Sequence, residues 1–324
     1  MTHAVRIHSA GGAEALRYES IEVPPPAAGE ARIRHTAIGV NYIDTYHRSG
    51  LYPLPMPAVI GSEAAGVVEA VGEGVDFVKP GDRVAYCGGP VGAYAEARVI
   101  PADRLVRLPD DIDDRTAATL MLKGLTVQYL FRQTYVLKAG ETILFHAAAG
   151  GVGLLACQWA RALGVTMIGT VGSDAKAELA RANGCTHTIV YGRENFVERV
   201  KALTAGKGVP VVYDSVGKDT FPASLDCLSP RGLFVSFGAS SGPVEAFNLL
   251  MLAARGSLYA TRPTLATYAA KRADLVAMAE EVFGLVRAGK IRSEARQSFA
   301  LKDAADAHRA LESRKTTGAT VLIP

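Results

Sequence analysis

The chain has 324 residues, of which 49% are hydrophobic and 21% are charged, an ordinary globular composition with room for about two domains. Its formal net charge of +3 is too small to indicate a nucleic-acid-binding protein by itself. No stretch of 18 apolar residues occurs and the first ten residues do not form a signal peptide. We therefore expect a cytoplasmic protein without a transmembrane helix.

The N-terminal part of the chain is predicted to be rich in strands. Short apolar or alternating runs, separated by Gly and Pro, predict strands at Ala4–His8, Arg32–Ile38, Ala64–Val71 and Arg83–Tyr86. Short strands with frequent turns are typical of a compact barrel or sandwich.

The pattern changes near Thr116, where strands and helices begin to alternate. Six runs predict strands: Thr142–His146, Thr166–Val171, Thr186–Val190, Val209–Asp214, Leu233–Phe237 and Ser257–Thr261. Most are continuously apolar, as expected for strands covered on both faces. Between them lie helical patterns such as Val152–Leu163. Repeating βα units predict an α/β fold with a doubly wound parallel sheet.

The C-terminal segment follows Pro263 and predicts two helices, near Leu275–Ala288 and Ala304–Ser313, and a last strand at Ala319–Ile323. Because the strand-rich part otherwise lacks covering helices, we expect this segment to return to the first domain.

The four cysteines are Cys87, Cys157, Cys185 and Cys227. They form no Cys-x-x-Cys pair and have no histidine at ligand spacing, which argues against a structural zinc site. Free thiols are also typical of a reducing compartment.

A glycine-rich turn, Ala147–Gly153, joins the first strand of the α/β part to the next helix. Gly150 and Gly151 would let the backbone approach a pyrophosphate at the helix N-terminus, and Gly153 would allow close packing of helix and strand. The spacing differs from Gly-x-Gly-x-x-Gly, and the alternative is a tight structural turn. Its place between strand and helix favours dinucleotide binding.

The end of the second strand indicates which nicotinamide cofactor binds. It is Gly172, whereas an NAD site usually has Asp or Glu there. Ser173 and Lys176 are suited to a 2′-phosphate, with Tyr191 stacking nearby. The alternative is that Ser173 or Asp174 only caps the next helix and Lys176 is solvated. This pattern favours NADPH over NADH.

Several motifs together identify a family. They are Gly39-Val40-Asn41-Tyr42-Ile43-Asp44-Thr45-Tyr46, Gly50-Leu51-Tyr52-Pro53, Gly61-Ser62-Glu63-Ala64-Ala65-Gly66, Ala147–Gly153, Tyr213-Asp214-Ser215-Val216-Gly217, and Ser313-Arg314 before Gly318. With them, the whole chain resembles the zinc-free, zeta-crystallin-like quinone oxidoreductases of the medium-chain dehydrogenase/reductase superfamily. The resemblance implies a GroES-like substrate domain (residues 1–124 and 264–324), a Rossmann domain (residues 125–263) and a homodimer.

The resemblance also bears on metal binding. The zinc-dependent alcohol dehydrogenases of this superfamily have Gly-His-Glu where this chain has Gly61-Ser62-Glu63. The histidine ligand is replaced by Ser62, and no cysteine lies near Asn41 to supply the other ligand. The resemblance is therefore to the branch without zinc.

Carried over by position, the resemblance implies two sets of site residues. Those expected to bind NADPH are Asn41, Tyr129, Gly150, Gly151, Val152, Gly153, Gly172, Ser173, Lys176, Tyr191, Ser215, Phe237, Ser240 and Arg314. Those expected at the quinone are Asn41, Tyr46, Tyr52, Thr126 and Arg262.

The expected reaction is reduction of a small quinone. A quinone is electron-poor, so the enzyme mainly aligns it with nicotinamide, and we expect no obligatory general acid. Tyr46 and Tyr52 would wall a flat ring, although Tyr-rich loops beside prolines often only pack on the barrel. Asn41 would bond a quinone oxygen or the nicotinamide ribose. His47 and Arg48 are expected to be solvated rather than catalytic.

Two other functions remain open. The same fold and cofactor serve reduction of an activated C=C bond in an enone or alkenal. Relatives of the family also act as lens structural proteins or RNA binders, but this chain has no basic stripe and no clustered aromatic platform.

Overall fold

The computed structural model describes residues 2–324. The chain forms two compact units. Unit 1 comprises the chain up to Leu125 together with Tyr268–Arg287 and Ser293–Pro324, and unit 2 comprises Thr126–Thr267 with Ala288–Arg292. Within the described residues, no helix has both the length and the apolar character that a membrane span requires.

The strands, in chain order, are β1 (Thr2–Ile7), β2 (Arg17–Ile21), β3 (Glu30–Val40), β4 (Ala58–Val59), β5 (Glu63–Val71), β6 (Arg83–Cys87), β7 (Ala97–Pro101), β8 (Val106–Arg107), β9 (Thr142–Phe145), β10 (Thr166–Val171), β11 (His187–Val190), β12 (Val209–Asp214), β13 (Leu228–Ser236), β14 (Tyr259–Thr261), β15 (Ala295–Ala300) and β16 (Ala319–Ile323). The α-helices are α1 (Tyr42–Ser49), α2 (Asp114–Tyr129), α3 (Gly151–Ala162), α4 (Asp174–Ala182), α5 (Phe196–Leu203), α6 (Leu250–Ala254), α7 (Leu265–Tyr268), α8 (Arg272–Arg287) and α9 (Ala304–Glu312).

Unit 1 is built on two sheets. One has the order β15-β16-β3-β5-β6-β8, with β7 also paired to β3, and the other has the order β2-β1-β4. The last strand, β16, pairs antiparallel with β3, placing Val321 opposite Gly39. The predicted return of the C-terminal segment is thereby confirmed. Fully buried Ile33, Ile38 and Ile100 belong to the core of this unit.

Unit 2 contains one six-stranded sheet with the order β11-β10-β9-β12-β13-β14, and every pair in it is parallel. Numbered within the sheet, this is the order 3-2-1-4-5-6 of a dinucleotide-binding fold. Leu144, Ile168 and Val212 are fully buried in its core, as their continuously apolar strands require. The predicted doubly wound α/β sheet is confirmed.

Helix α1 was not predicted, and it corrects the interpretation of the Tyr-rich segment. Tyr46 lies on a helix rather than in a loop, and only Tyr52 follows it in irregular structure. Asn41 is the N-cap, and the Asp44 carboxylate three residues later accepts the Asn41 backbone N–H at 2.8 Å, the pattern of a capping box. Gly50 ends the helix in the left-handed region, at φ 81°.

Candidate functional site

The glycine-rich turn leads from β9 into α3. Gly150 is the N-cap of α3 and provides no side-chain cap, so the first N–H groups of the helix are available to an anion. A Cβ atom on Gly153 would clash with the carbonyl oxygen of Ala147 and lie 2.6 Å from that of Ala148. Gly153 therefore packs closely against the backbone of the turn itself, while the predicted pyrophosphate contact stays a prediction.

The end of β10 is the second part of the site. A Cβ on Gly172 would lie 2.9 Å from the Tyr191 hydroxyl, so this tyrosine lies over the glycine. The Ser173 hydroxyl accepts the Lys176 backbone N–H at 3.4 Å and caps α4. Capping, one of the two roles predicted for Ser173, is therefore present. Because Ser173 is exposed and Tyr191 is half exposed, both still face solvent beside the strand end.

Asp174 is the first acidic residue after this strand. Its carboxylate accepts a hydrogen bond of 2.8 Å from the Arg193 guanidinium, and both side chains are largely exposed. The carboxylate is already paired and lies three residues beyond the end of the strand. At this edge of the sheet the structure therefore has the Ser173 hydroxyl and the Lys176 side chain, and its nearest acid, Asp174, is paired.

The loops after β12 and β13 complete this edge of the sheet. Fully buried Asp214 ends β12 and accepts the backbone N–H groups of Val216 and Gly217 at 2.8 and 3.0 Å. The Ser240 backbone N–H donates to the Ser215 carbonyl oxygen at 3.1 Å. Since β9, β12 and β13 are neighbours, these loops lie at the same carboxyl edge as the glycine-rich turn. That edge is where doubly wound sheets bind ligands.

Four more predicted residues have defined positions. Phe237 packs on Phe145, with ring centroids 5.5 Å apart. Arg262 donates to the carbonyl oxygen of Gly238 at 2.8 Å, which ties it to the loop after β13. Thr126 and Tyr129 lie on α2 and are both buried.

The predicted quinone tyrosines form an aromatic cluster in unit 1. The ring centroid of Tyr46 lies 5.9 Å from that of Tyr42 and 5.3 Å from that of Tyr52. His47 packs edge-on against Tyr52 at 5.9 Å. The expectation that His47 and Arg48 are solvated is wrong, because both are buried. Burial also lowers the pKa of His47.

A buried ion pair lies beside Asn41. The carboxylate of Glu63, on β5, accepts the Lys123 ammonium at 3.0 Å and the Asn41 side-chain amide at 2.9 Å. Its other oxygen accepts the Leu122 backbone N–H at 2.7 Å. The same Asn41 amide nitrogen lies 3.4 Å from the Gly39 carbonyl oxygen. Both amide hydrogens of Asn41 therefore face acceptors within unit 1.

A second buried polar chain runs beneath α1. The Asp44 carboxylate accepts hydroxyl hydrogen bonds from Ser62 at 2.9 Å and Tyr94 at 3.1 Å. The Tyr94 hydroxyl lies 2.9 Å from His308 Nε2, and His308 Nδ1 lies 3.1 Å from an Arg48 nitrogen. Burial raises the pKa of Asp44 to about 7 and, with the Arg48 charge, lowers that of His308 to about 3. Sequence analysis missed this chain, since its members lie far apart in the sequence.

Arg314 follows α9 and is exposed. Its backbone is in the left-handed region at φ 58°, which is uncommon for a residue with a side chain and often marks a functional position.

Comparisons with known proteins agree with both units. The family model described as "Alcohol dehydrogenase GroES-like domain" matches residues 27–110, and that described as "Zinc-binding dehydrogenase" matches residues 151–277. A quinone oxidoreductase of Pseudomonas aeruginosa is 58% identical to the chain over 100% of both proteins. The chain belongs to the quinone oxidoreductase family of the medium-chain dehydrogenase/reductase superfamily. The expected GroES-like and Rossmann architecture is confirmed.

Two further members of this superfamily are informative. The crystal structure of an Escherichia coli quinone oxidoreductase complexed with NADPH is 50% identical, covers 100% of both chains and has a TM-score of 0.98. A 2-haloacrylate reductase of a Burkholderia species is 46% identical, over 100% of this chain and 99% of the relative.

Ser62 and Glu63, which stand where the zinc-dependent enzymes have Gly-His-Glu, differ from the residues of a metal site. Ser62 donates to Asp44 at 2.9 Å, and Glu63 is already neutralised by Lys123. Within residues 2–324, no group of three or more His, Cys, Asp or Glu side chains is arranged to hold a metal ion. These residues do not fit a zinc ion.

Proposed function

We propose that the chain is an NADPH:quinone oxidoreductase that transfers reducing equivalents from NADPH to small quinones without zinc. The observation that carries this proposal is the carboxyl edge of the parallel sheet, where a pyrophosphate-binding turn lies beside a second strand that ends without a free acid. Full-length relatives with this activity support it.

The 2′-phosphate of NADPH is proposed to bind Ser173, Lys176, Tyr191 and Arg314. Asp174 does not oppose this assignment, because its carboxylate is paired with Arg193. The remaining proposed cofactor contacts are those predicted above: Asn41, Tyr129, Gly150, Gly151, Val152, Gly153, Gly172, Ser215, Phe237 and Ser240.

NADPH, when bound, supplies the hydride. Tyr46 and Tyr52 are proposed to pack on the flat quinone ring and to offer hydroxyl donors to its oxygens, with Thr126 and Arg262 as further quinone contacts. Asn41 is proposed to bind the nicotinamide ribose, since its amide hydrogens face Glu63 and Gly39. A quinone oxygen only accepts hydrogen bonds, whereas a ribose hydroxyl can donate to the Asn41 carbonyl oxygen.

The deciding experiment is NADPH oxidation with 1,4-benzoquinone and 1,2-naphthoquinone, compared directly with NADH. Lys176→Ala and Arg314→Ala should each reduce the preference for NADPH about tenfold, the effect of losing a charge-assisted hydrogen bond. Arg287→Ala, which removes an exposed arginine paired with Asp111, is the matched control and should leave the preference for NADPH over NADH unchanged. Equal use of both cofactors by the unmodified enzyme would overturn the phosphate assignment.

A second candidate function is reduction of an activated C=C bond, favoured by the similarity to the 2-haloacrylate reductase. A substrate panel separates the two functions. Turnover of 2-alkenals, alkenones or 2-haloacrylate, with no turnover of ortho- or para-quinones, would replace the quinone assignment.

Assembly, location and domain roles complete the proposal. We propose a homodimer, supported by exposed Leu249 and Leu250 at the start of α6 and exposed Tyr259 on the edge strand β14. Light scattering after gel filtration tests it. A cytoplasmic location is proposed because all four cysteines are free, and cell fractionation tests it. Residues 1–124 and 264–324 are proposed to bind the quinone, and residues 125–263 the dinucleotide.

A further inference from the structure

Helix α1 presents two opposite faces. Tyr42 and Tyr46 are four residues apart and share one face, whereas Asp44 and Arg48 share a face about half a turn away. The tyrosines belong to the aromatic cluster, and Asp44 and Arg48 are both buried. A helix of eight residues has little stability of its own. Its position therefore depends on tertiary contacts, and Asp44 and Arg48 supply the buried polar ones.

The hydrogen bonds on this face have a defined direction. Arg48 only donates, so His308 Nδ1 must accept the Arg48 hydrogen bond. Neutral His308 then carries its proton on Nε2 and donates it to the Tyr94 oxygen, 2.9 Å away. The Tyr94 hydroxyl hydrogen is left to point at the Asp44 carboxylate, 3.1 Å away. The hydrogen bonds therefore run in one direction, from Arg48 through His308 and Tyr94 to Asp44.

The far end of this chain is anchored as well. The Arg48 guanidinium makes two hydrogen bonds to the Glu312 carboxylate, at 2.9 and 2.6 Å, and one to the Gly11 carbonyl oxygen at 3.1 Å. His308 and Glu312 are both on α9. Because a guanidinium does not release its proton in proteins, the chain is not a route for protons from the surface. Its contribution is geometric.

We propose that His308 and Tyr94 are positioning residues of the quinone site: they hold the Asp44 face of α1 and thereby fix Tyr46 on the opposite face. This inference rests on the proposed function, because it assigns the effect to quinone binding. Neither residue touches the substrate. Loss of either should weaken quinone binding and leave binding of NADPH at the glycine-rich turn unchanged.

The test compares four variants by steady-state kinetics and by NADPH titration. Tyr94→Phe removes only the hydroxyl, and His308→Leu removes both ring nitrogens. His308→Gln restores a donor near the Nε2 position, and Arg309→Ala removes an exposed arginine from the same helix, where it pairs with Asp306. Tyr94→Phe and His308→Leu should raise the quinone KM about tenfold, with NADPH Kd within about twofold of the unmodified value.

His308→Gln and Arg309→Ala should both keep the quinone KM of the unmodified enzyme. If His308 only stabilised the fold, His308→Gln would not be expected to restore that KM. If His308→Leu fails to fold, Tyr94→Phe decides the matter. An unchanged quinone KM in Tyr94→Phe overturns the proposal, as does a KM in His308→Gln as high as in His308→Leu. Absence of quinone turnover by the unmodified enzyme would instead reject the proposed function.

Discussion

Removal of the Lys123 ammonium tests how much the buried ion pair of Lys123 and Glu63 contributes to stability. Glu63 is fully buried and Lys123 is 4% exposed, with 3.0 Å between the charged atoms. Lys123→Met deletes the cation and leaves a buried carboxylate with only amide donors, Leu122 N–H and the Asn41 side chain. Breaking a buried pair in this way costs about 3–5 kcal/mol. The melting temperature should fall by on the order of 10 °C.

The measurement is urea unfolding at pH 7.5, followed by far-UV circular dichroism. Lys123→Met combined with Glu63→Gln removes the unpaired charge and should recover more than about 1 kcal/mol of the loss, leaving one unsatisfied amide. Arg193→Ala breaks the exposed pair with Asp174 and should leave the urea midpoint almost unchanged, because solvent screens such pairs. A cost below about 1 kcal/mol for Lys123→Met, or no recovery in the double variant, would refute this reasoning.

Three further predictions concern single residues. Gly153→Val places side-chain atoms against the backbone of the glycine-rich turn. It should lower the free energy of unfolding by about 1–3 kcal/mol and weaken NADPH binding. Gly284→Ala, where a Cβ meets open space, is the control and should do neither, and calorimetry measures both effects. Tyr46→Phe should lower kcat less than about tenfold, because no obligatory general acid is proposed; a loss of several orders of magnitude with unchanged NADPH affinity contradicts this. The pKa of Asp44 is about 7 in the folded protein, which is above the pKa of an aspartate in the unfolded chain. Asp44 therefore stabilises the fold fully below about pH 4, and this stabilisation is lost as the pH rises through 7. Relative to Asp44→Asn, the unmodified protein should lose about 4 kcal/mol between pH 4 and 8; parallel stability profiles would exclude the assignment.

The α/β part of the fold could be predicted because its signals are local. A buried parallel strand is a continuous apolar run, and the glycine-rich turn stands directly between such a strand and a helix. The predicted strands Thr166–Val171 and Val209–Asp214 coincide with β10 and β12. Leu233–Phe237 falls largely within the longer β13, whose first residues, with Pro230 and Arg231, lack the apolar character of a strand.

Helix α1 could not be predicted from apolar periodicity, because its buried residues include no aliphatic side chain. They are Asp44, Thr45, Tyr46, His47 and Arg48. Only the capping pattern of Asn41 and Asp44, with Gly50 at the end, signalled a helix. Charged residues are ordinarily exposed, which is why Arg48 was expected in solvent. Its partners lie more than 250 residues further along the chain, at His308 and Glu312.

Buried polar pairing also extends to the residues around Ser62. The carboxylates of Asp44 and Glu63 are both buried, and each is satisfied from within unit 1. Glu63 has the Lys123 ammonium as its counterion, and Asp44 has hydroxyl donors from Ser62 and Tyr94. An electron-poor quinone needs little polarisation, because reduction makes its ring aromatic. On the proposal made above, the polar residues of this region hold α1 and Asn41 in place, and alignment is their main contribution to the reaction.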